Sequence, residues 1–306
     1  MLMFNRCVLP VVAAAMLLVT TGSAGAAVKV FACEPEWAAL AREIGGERVT
    51  AYAATHARQD PHHIRARPSL VAKIRRAKLV ICSGAGLEVG WLPLLLQRGG
   101  KGIQPGTSGH LMTSDHVEVI EKPISIDRSL GDLHPEGNPH VHLDPQNMLR
   151  LAKVVSQRLS TIDPAGASHY AGRLQRFTEA WSAEMVGWQK RAAALKGQPV
   201  IVHHKFWSYL LQWIGLQEAG TLEAKPGIAP SVAHLDSLLS TVRTNKVRAV
   251  LRTPYDDDGP SNWLTSRTSI PVLELPATVE RDAGPGALAA YFNQLLARLE
   301  TGLGRQ

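Results

Sequence analysis

The chain has 306 residues, 45% of them hydrophobic and 19% charged, with a formal net charge of +7. At roughly 100–200 residues per domain this length suggests two domains, and the ordinary hydrophobic fraction excludes a disordered chain or a collagen-like repeat. The positive charge does not read as nucleic-acid binding. Its densest cluster (Arg65, Arg67, Lys73, Arg75, Arg76 and Lys78) lies at helical spacing around Pro68, carries no RNA- or DNA-binding signature, and reads as a solvated helix face.

The first residues read as an export signal. Arg6 supplies the positive start, Val8–Val19 an apolar run of about a dozen residues, and Ala24-Gly25-Ala26 an A-x-A cleavage site. Residues 1–26 are therefore expected to be a signal peptide, with cleavage near Ala26 and a soluble periplasmic protein starting near Ala27. Loss of Arg6 lowers the charge from +7 to +6. Cys7 precedes the apolar run and no Cys stands at the cleavage point, so no lipid anchor is expected.

From Ala27 onward, short β-rich runs alternate with helical stretches. Val28–Cys33, Val49–Ala53 and Leu79–Ser83 read as strands, and Glu36–Ile44 and Pro68–Ala77 as helices. Such alternation implies βαβ units and a parallel sheet. Gly99–Gly109 and Asp127–Asn138 read as loops. Gln146–Thr161 is helical and breaks at Asp163-Pro164, where Asp163 caps and Pro164 takes a first-turn position. Asp144, before Pro145, is a helix start of the same kind. The helical pattern then runs from Pro164 to about Lys196, roughly 50 Å at 1.5 Å per residue, which suits a helix crossing between domains. The second half repeats the alternation, with strands at Val200–Val202, Val247–Leu251 and Val272–Leu275. Its helices are Trp207–Ile214, Pro230–Asn245, Ser261–Thr268 and Gly286–Leu303. The expected fold is α/β, with two Rossmann-like parallel-sheet domains (27–162 and 198–306) joined by one long helix (163–197). The seven tryptophans read as core. Cys33 and Cys82 end two apolar strands, and the exported setting permits a bridge. A disulfide and two separate buried thiols both remain open.

The twelve histidines are the unusual count. His62 and His63 precede the helix at Pro68, His140 and His142 stand in a Pro-His-Val-His-Leu-Asp-Pro string, and His203 and His204 follow the strand Val200–Val202. Ligands of open α/β sheets bind outside the carboxyl ends of strands, so three histidine clusters in such loops converge if two sheets face each other. Imidazole is the commonest metal ligand, and three nitrogen donors suit Zn²⁺ better than Mn²⁺, Mg²⁺ or Ca²⁺.

Four strings then become specific: Asp60-Pro-His-His-Ile-Arg-Ala-Arg-Pro-Ser69, Ala77-Lys-Leu-Val-Ile-Cys-Ser-Gly-Ala-Gly-Leu-Glu88, Pro139-His-Val-His-Leu-Asp-Pro145, and His204-Lys-Phe-Trp-Ser-Tyr209 with Trp213-Ile-Gly-Leu216 behind it. Together they resemble the zinc/manganese substrate-binding proteins of bacterial ABC transporters, in order across nearly the whole chain after residue 26. The resemblance implies a metal held in the cleft between two domains on a rigid helix. It places the ligands at His62, His140 and His204, and implies capture of Zn²⁺ (Mn²⁺ as the lesser alternative) for delivery to a membrane permease. A periplasmic metallochaperone is a second candidate partner, no nucleic acid is expected, and the chain is expected to be a monomer.

The family often has an Asp as fourth ligand after its last strand. Here that region reads Val272-Leu-Glu-Leu-Pro, so the fourth place is left to water, Glu274, Asp256, Asp257 or Asp258. Glu223 is read as an acceptor that orients a histidine ring, or as a surface turn. His110, His116 and His134 are too sparse for a histidine tract, and they leave open a weak extra metal site in the 109–139 loop. Three histidines with an open position are also the plan of a zinc hydrolase. No H-E-x-x-H helix and no Ser or Cys nucleophile motif supports that, so a binding protein is the expectation.

Overall fold

The computed structural model describes residues 26–124, 131 and 134–304. The expected signal peptide therefore lies outside the described residues, except for its last residue. Among the described residues no helix is long and apolar enough to cross a membrane.

The first lobe starts with β1 (Val28–Ala32), α1 (Pro35–Gly45), β2 (Val49–Ala53), α2 (Pro68–Ile74) and β3 (Leu79–Cys82). It continues through α3 (Leu92–Leu96) and β4 (His110–Met112) to α4 (Pro145–Ile162). Its four strands are parallel in the order β2-β1-β3-β4. After α5 (Ala167–Ala193) the second lobe has β5 (Pro199–Val202), α6 (Ser208–Ile214), β6 (Gln217–Thr221) and α7 (Val232–Thr244). It closes with β7 (Ala249–Arg252), α8 (Asp258–Thr265), β8 (Val272–Glu274) and α9 (Ala287–Leu303). Its sheet is again parallel, ordered β6-β5-β7-β8.

The expected strands are present as β1, β2, β3, β5, β7 and β8. β4 and β6 are additions that the sequence pattern did not suggest. Both are edge strands, and their side chains are largely half-buried or exposed. Neither carries an apolar run, because an edge strand is made by hydrogen bonding to its neighbour rather than by burying two faces.

The long helix is shorter than its sequence pattern. Pro164–Gly166 form a 3-10 turn and α5 covers 27 residues, about 40 Å at 1.5 Å per residue. Asp163 does not cap this turn with its side chain. It is held instead by Arg48 at 2.8 Å and by the Tyr170 hydroxyl at 2.7 Å. The side chain of Asp144 does cap α4, accepting from Gln146 N at 2.7 Å.

One apolar core runs through both lobes. It takes in the inner faces of β1 and β5, the buried face of α1 and α4, and Trp181 and Trp188 of α5 against Phe292 of α9. α9 buries Leu288, Tyr291, Phe292, Leu295, Leu296, Leu299 and Leu303, a helical stripe in which each large side chain contributes about 1.5–3 kcal/mol before entropy is charged. Smaller apolar clusters cover the outer faces, with α2 and α3 on the first sheet and α7 and α8 on the second. Five of the seven tryptophans are buried.

Polar ties also cross between lobes. Arg42 donates to the carbonyls of Arg281 and Ala283, Arg281 donates to Thr55 O, and Thr278 donates to Glu36 at 2.5 Å. Parallel pairing of β1 and β3 sets Cys33 beside Cys82, and the two form a disulfide with Cα atoms 4.8 Å apart.

Candidate metal centre

The carboxyl ends of the two sheets face each other, and histidines from separate loops meet between them. His62 lies in the loop between β2 and α2. Asp60 shapes this loop by accepting from the His62 amide at 2.9 Å and from ring Nδ1 at 2.7 Å. Trp91 holds the same loop from beneath through Pro61 O at 3.0 Å. His204 is the second residue past β5, and its Nδ1 meets Glu223 Oε2 at 2.8 Å. His140 is 2% exposed, lies 4.3 Å from the ring centre of Phe206, and has an Nε2 with no partner among the described residues.

The fourth ring is His134. Its Nε2 lies 3.1 Å from Nε2 of His62, and one ligand atom each from His62, His134 and His204 fall within 4.8 Å of one another. His140 adjoins all three, with ring centres 5.8 Å from His62, 6.0 Å from His204 and 6.4 Å from His134. His134 lies close to the backbone of Ala85. Ala85 itself has a φ of 48° between Gly84 and Gly86 at 80° and 83°. The Gly84 position excludes any side chain, since a Cβ there would lie 2.4 Å from Ser114 Oγ.

The electrostatics favour neutral rings at His134 and His140. Burial and the neighbouring His62 and His204 push His134 down to about 3. Burial and the same neighbours hold His140 well below the histidine range. Both therefore present lone pairs at neutral pH. Burial alone would lower His204 too, but the Glu223 bond outweighs it and the net shift is upward. Burial would raise Asp60 and Glu223, yet their histidine partners hold both carboxylates below their usual value. A carboxylate on one imidazole nitrogen fixes the tautomer and leaves the other nitrogen for a metal. Two imidazole nitrogens on one tetrahedral Zn²⁺ are about 3.3 Å apart for bonds of 2.0–2.1 Å, close to the 3.1 Å between His62 and His134.

All three sequence-designated histidines, His62, His140 and His204, are thus in one cluster, and Glu223 plays the orienting part. The neighbours do not join. His63 is exposed beside Asp60, His203 is buried 3.7 Å from Glu223, and His142 spans Ala277 O and Glu36. The carboxylates considered for the fourth place are mostly engaged elsewhere. Glu274 pairs with Arg252 at 2.8 Å, Asp257 caps α8, and Asp258 opens that helix in solvent. Asp256 accepts from Thr253 N at 2.7 Å and remains near enough to feel His203 and His204. Sequence reasoning did not single out His134 as a ligand, because no local pattern distinguishes it from other loop histidines. A cavity of about 260 Å³ opens onto the cluster, lined by Glu121, Asn138, Lys205 and Glu223 among others.

The family model described as zinc-uptake complex component A, periplasmic, matches residues 30–301. Among curated proteins, the chain is 22% identical over 255 residues to the manganese ABC transporter substrate-binding lipoprotein PsaA of Streptococcus pneumoniae serotype 4. That match covers 82% of this chain and 80% of the relative. Among solved structures, a zinc-bound ZnuA deletion mutant superposes with a TM-score of 0.74 at 19% identity, covering 92% of this chain and 99% of that one. A periplasmic metal binding protein from Candidatus Liberibacter asiaticus gives 0.71 at 17% identity, covering 90% and 98%. At these identities the structural likeness shows the shared fold, two parallel sheets on a helical core.

Proposed function

The chain belongs to the periplasmic zinc-uptake component A family, and from that premise we propose that it captures Zn²⁺ through His62, His134, His140 and His204. As a member of that family it is the metal-binding substrate-binding component of an ABC transporter, and its activity is binding rather than catalysis. The observation that carries the zinc reading is the donor set. Four imidazoles converge, and two of them are oriented by carboxylates on the far ring nitrogen. Borderline-soft, four-coordinate Zn²⁺ suits nitrogen donors, whereas Mn²⁺ prefers oxygen ligands and water.

In this reading the cargo enters from the cavity beside Glu223 and displaces any proton on the His204–Glu223 pair. It is then delivered to a membrane permease outside the cytoplasm, with a periplasmic metallochaperone as a second partner that supplies the ion. Domain limits of 27–162 and 198–306 around the connecting helix fit this scheme, with each lobe supplying ligands. Shared core and polar ties leave little room for wide hinge motion, so loading is expected to move loops and not lobes.

Manganese is the second reading. Asp256, a half-buried carboxylate facing His203 and His204, is the observation in its favour, and PsaA is a named manganese protein. Competition dialysis against equal Zn²⁺ and Mn²⁺ decides between them. One Zn²⁺ per chain and displacement of Mn²⁺ are expected, and preferential retention of Mn²⁺ would reverse the assignment.

A further inference from the structure

The segment that bears His134 and His140 is fastened to the opposite lobe through one amide side chain. Asn138 is 6% exposed, and both ends of its amide are used. Its Oδ1 accepts from His140 N at 3.0 Å, and its Nδ2 donates to Glu121 Oε2 at 2.8 Å and to Lys205 O at 2.6 Å. Its backbone amide donates to Ile120 O at 2.8 Å, while Gly137 N donates to His134 O at 3.0 Å. Tyr209 of α6 closes the junction, accepting from Ile120 N at 3.2 Å and donating to Asn138 O at 2.9 Å. Glu121 is fixed from three sides, since Lys205 Nζ at 2.9 Å and Ser208 Oγ at 2.9 Å join Asn138 on its carboxylate. Burial alone would raise its pKa, but these partners hold it below the usual value. Two backbone conformations show how much the junction is constrained. Glu121 has a φ of 54°, which a side-chain-bearing residue adopts only when its surroundings impose it. Gly137 has a φ of 104°, and a Cβ there would lie 2.6 Å from Ile120 O.

We propose that Asn138, locked in place by Glu121, is the positioning residue that sets the metal preference of this site. The inference rests on the histidine cluster being the metal site. Asn138 lies between His134 and His140 in the chain, and it caps the carbonyl of the residue after His204. One amide therefore ties His140 to the residue after His204, and His134 joins the same junction through the turn at Gly137. Held close, four nitrogen donors favour a four-coordinate ion and penalise one that needs six ligands including oxygens. Once the clip is loosened, His134 withdraws, a place opens to water, and the penalty on Mn²⁺ falls.

The test compares wild type with Asn138→Ala and Glu121→Gln by Zn²⁺ and Mn²⁺ affinities and by the visible absorption of the Co²⁺-loaded chain. Four-coordinate Co²⁺ absorbs far more strongly than six-coordinate Co²⁺. Asn138→Ala is expected to weaken Zn²⁺ by about 10–100-fold, leave Mn²⁺ nearly unchanged, and bleach the Co²⁺ band. Glu121→Gln should move all three in the same direction by less. Equal losses for both metals, or an unchanged ratio with the wild-type Co²⁺ spectrum, overturn the proposal. If Asn138→Ala does not fold, Lys205→Met removes one strut at a half-exposed side chain and reads the same ratio, with Lys205→Arg expected to restore it. Failure of the wild type to bind Co²⁺ or Zn²⁺ at the histidines would instead remove the site reading beneath the inference.

Discussion

The two lobes share a backbone plan down to single hydrogen bonds, and they spend the same positions on different chemistry. Cys33 N donates to Ile81 O at 2.9 Å just as His203 N donates to Leu251 O at 2.8 Å, and Thr55 N to Cys33 O matches Glu223 N to His203 O. By that register Cys33 corresponds to His203, Glu34 to His204, and Thr55 to Glu223. In the second lobe the second residue past the strand is a histidine gripped by a carboxylate. In the first it is Glu34, 4% exposed, bonded to Ser83 and set near a second buried acid, Glu88, beside a disulfide. The second lobe thus presents its ligand at the strand end itself. The first uses its strand ends for cross-links and sends its ligands in on loops.

Breaking the disulfide should give the largest effect on stability. It joins residues 49 apart, so chain entropy assigns it about 4 kcal/mol. Denaturant midpoints of the oxidised protein and of Cys33→Ser with Cys82→Ser measure this, and an unchanged midpoint would show that the first lobe does not depend on it. Next, removing the ligand at the second lobe's strand end, His204→Ala, should weaken Zn²⁺ by more than about a hundredfold. Titration against a chromophoric chelator reads the change, and retained affinity would take His204 out of the site.

A paired test sharpens the correspondence. Glu223→Gln should cost about tenfold in Zn²⁺ affinity. At the matching position, Thr55→Val should leave Zn²⁺ alone and cost about 1 kcal/mol of stability, through its lost bond to Cys33 O. Equal metal effects at the two positions would mean the lobes are more alike than their chemistry suggests.

The smallest effect is on the pH dependence of stability, and the buried carboxylates of the two lobes should differ in sign. Burial raises Glu34 well above its ordinary range, and also raises Glu88 from 4.5 to about 7 despite backbone donors. The folded state therefore holds protons that the unfolded chain has released. Stability from this pair is full below about pH 4.5 and is lost as pH rises toward 7. Glu223 is shifted downward, so its contribution is present above its ordinary value and is lost as pH falls through the folded one. Buried neutral His134 and His140 act in the opposite direction over the same window, so the readout is a difference. Thermal melts between pH 4.5 and 8 should show Glu88→Gln gaining stability relative to wild type as pH rises, and identical slopes in the two proteins would rule out the buried acid pair.

Much of this was legible locally. Apolar runs such as Leu79–Cys82 and Val200–Val202 announce buried parallel strands, and Asp before Pro announces the start of α4. Histidines flanked by Asp-Pro or standing after a strand announce a metal. β4 and β6 lack any such mark, because their partners, and not their own side chains, make them strands. The bridge between Cys33 and Cys82 needed the β1–β3 pairing to be known.

The sequence by itself determined the fold class and the family and singled out His62, His140 and His204 as candidate ligands, because each signal lies in contiguous residues. Only the tertiary structure decided that His134 faces His62. The segment carrying His134 is met by Glu121 and Tyr209 at Asn138, and pairings 17 to 89 residues apart leave no periodic trace in the chain.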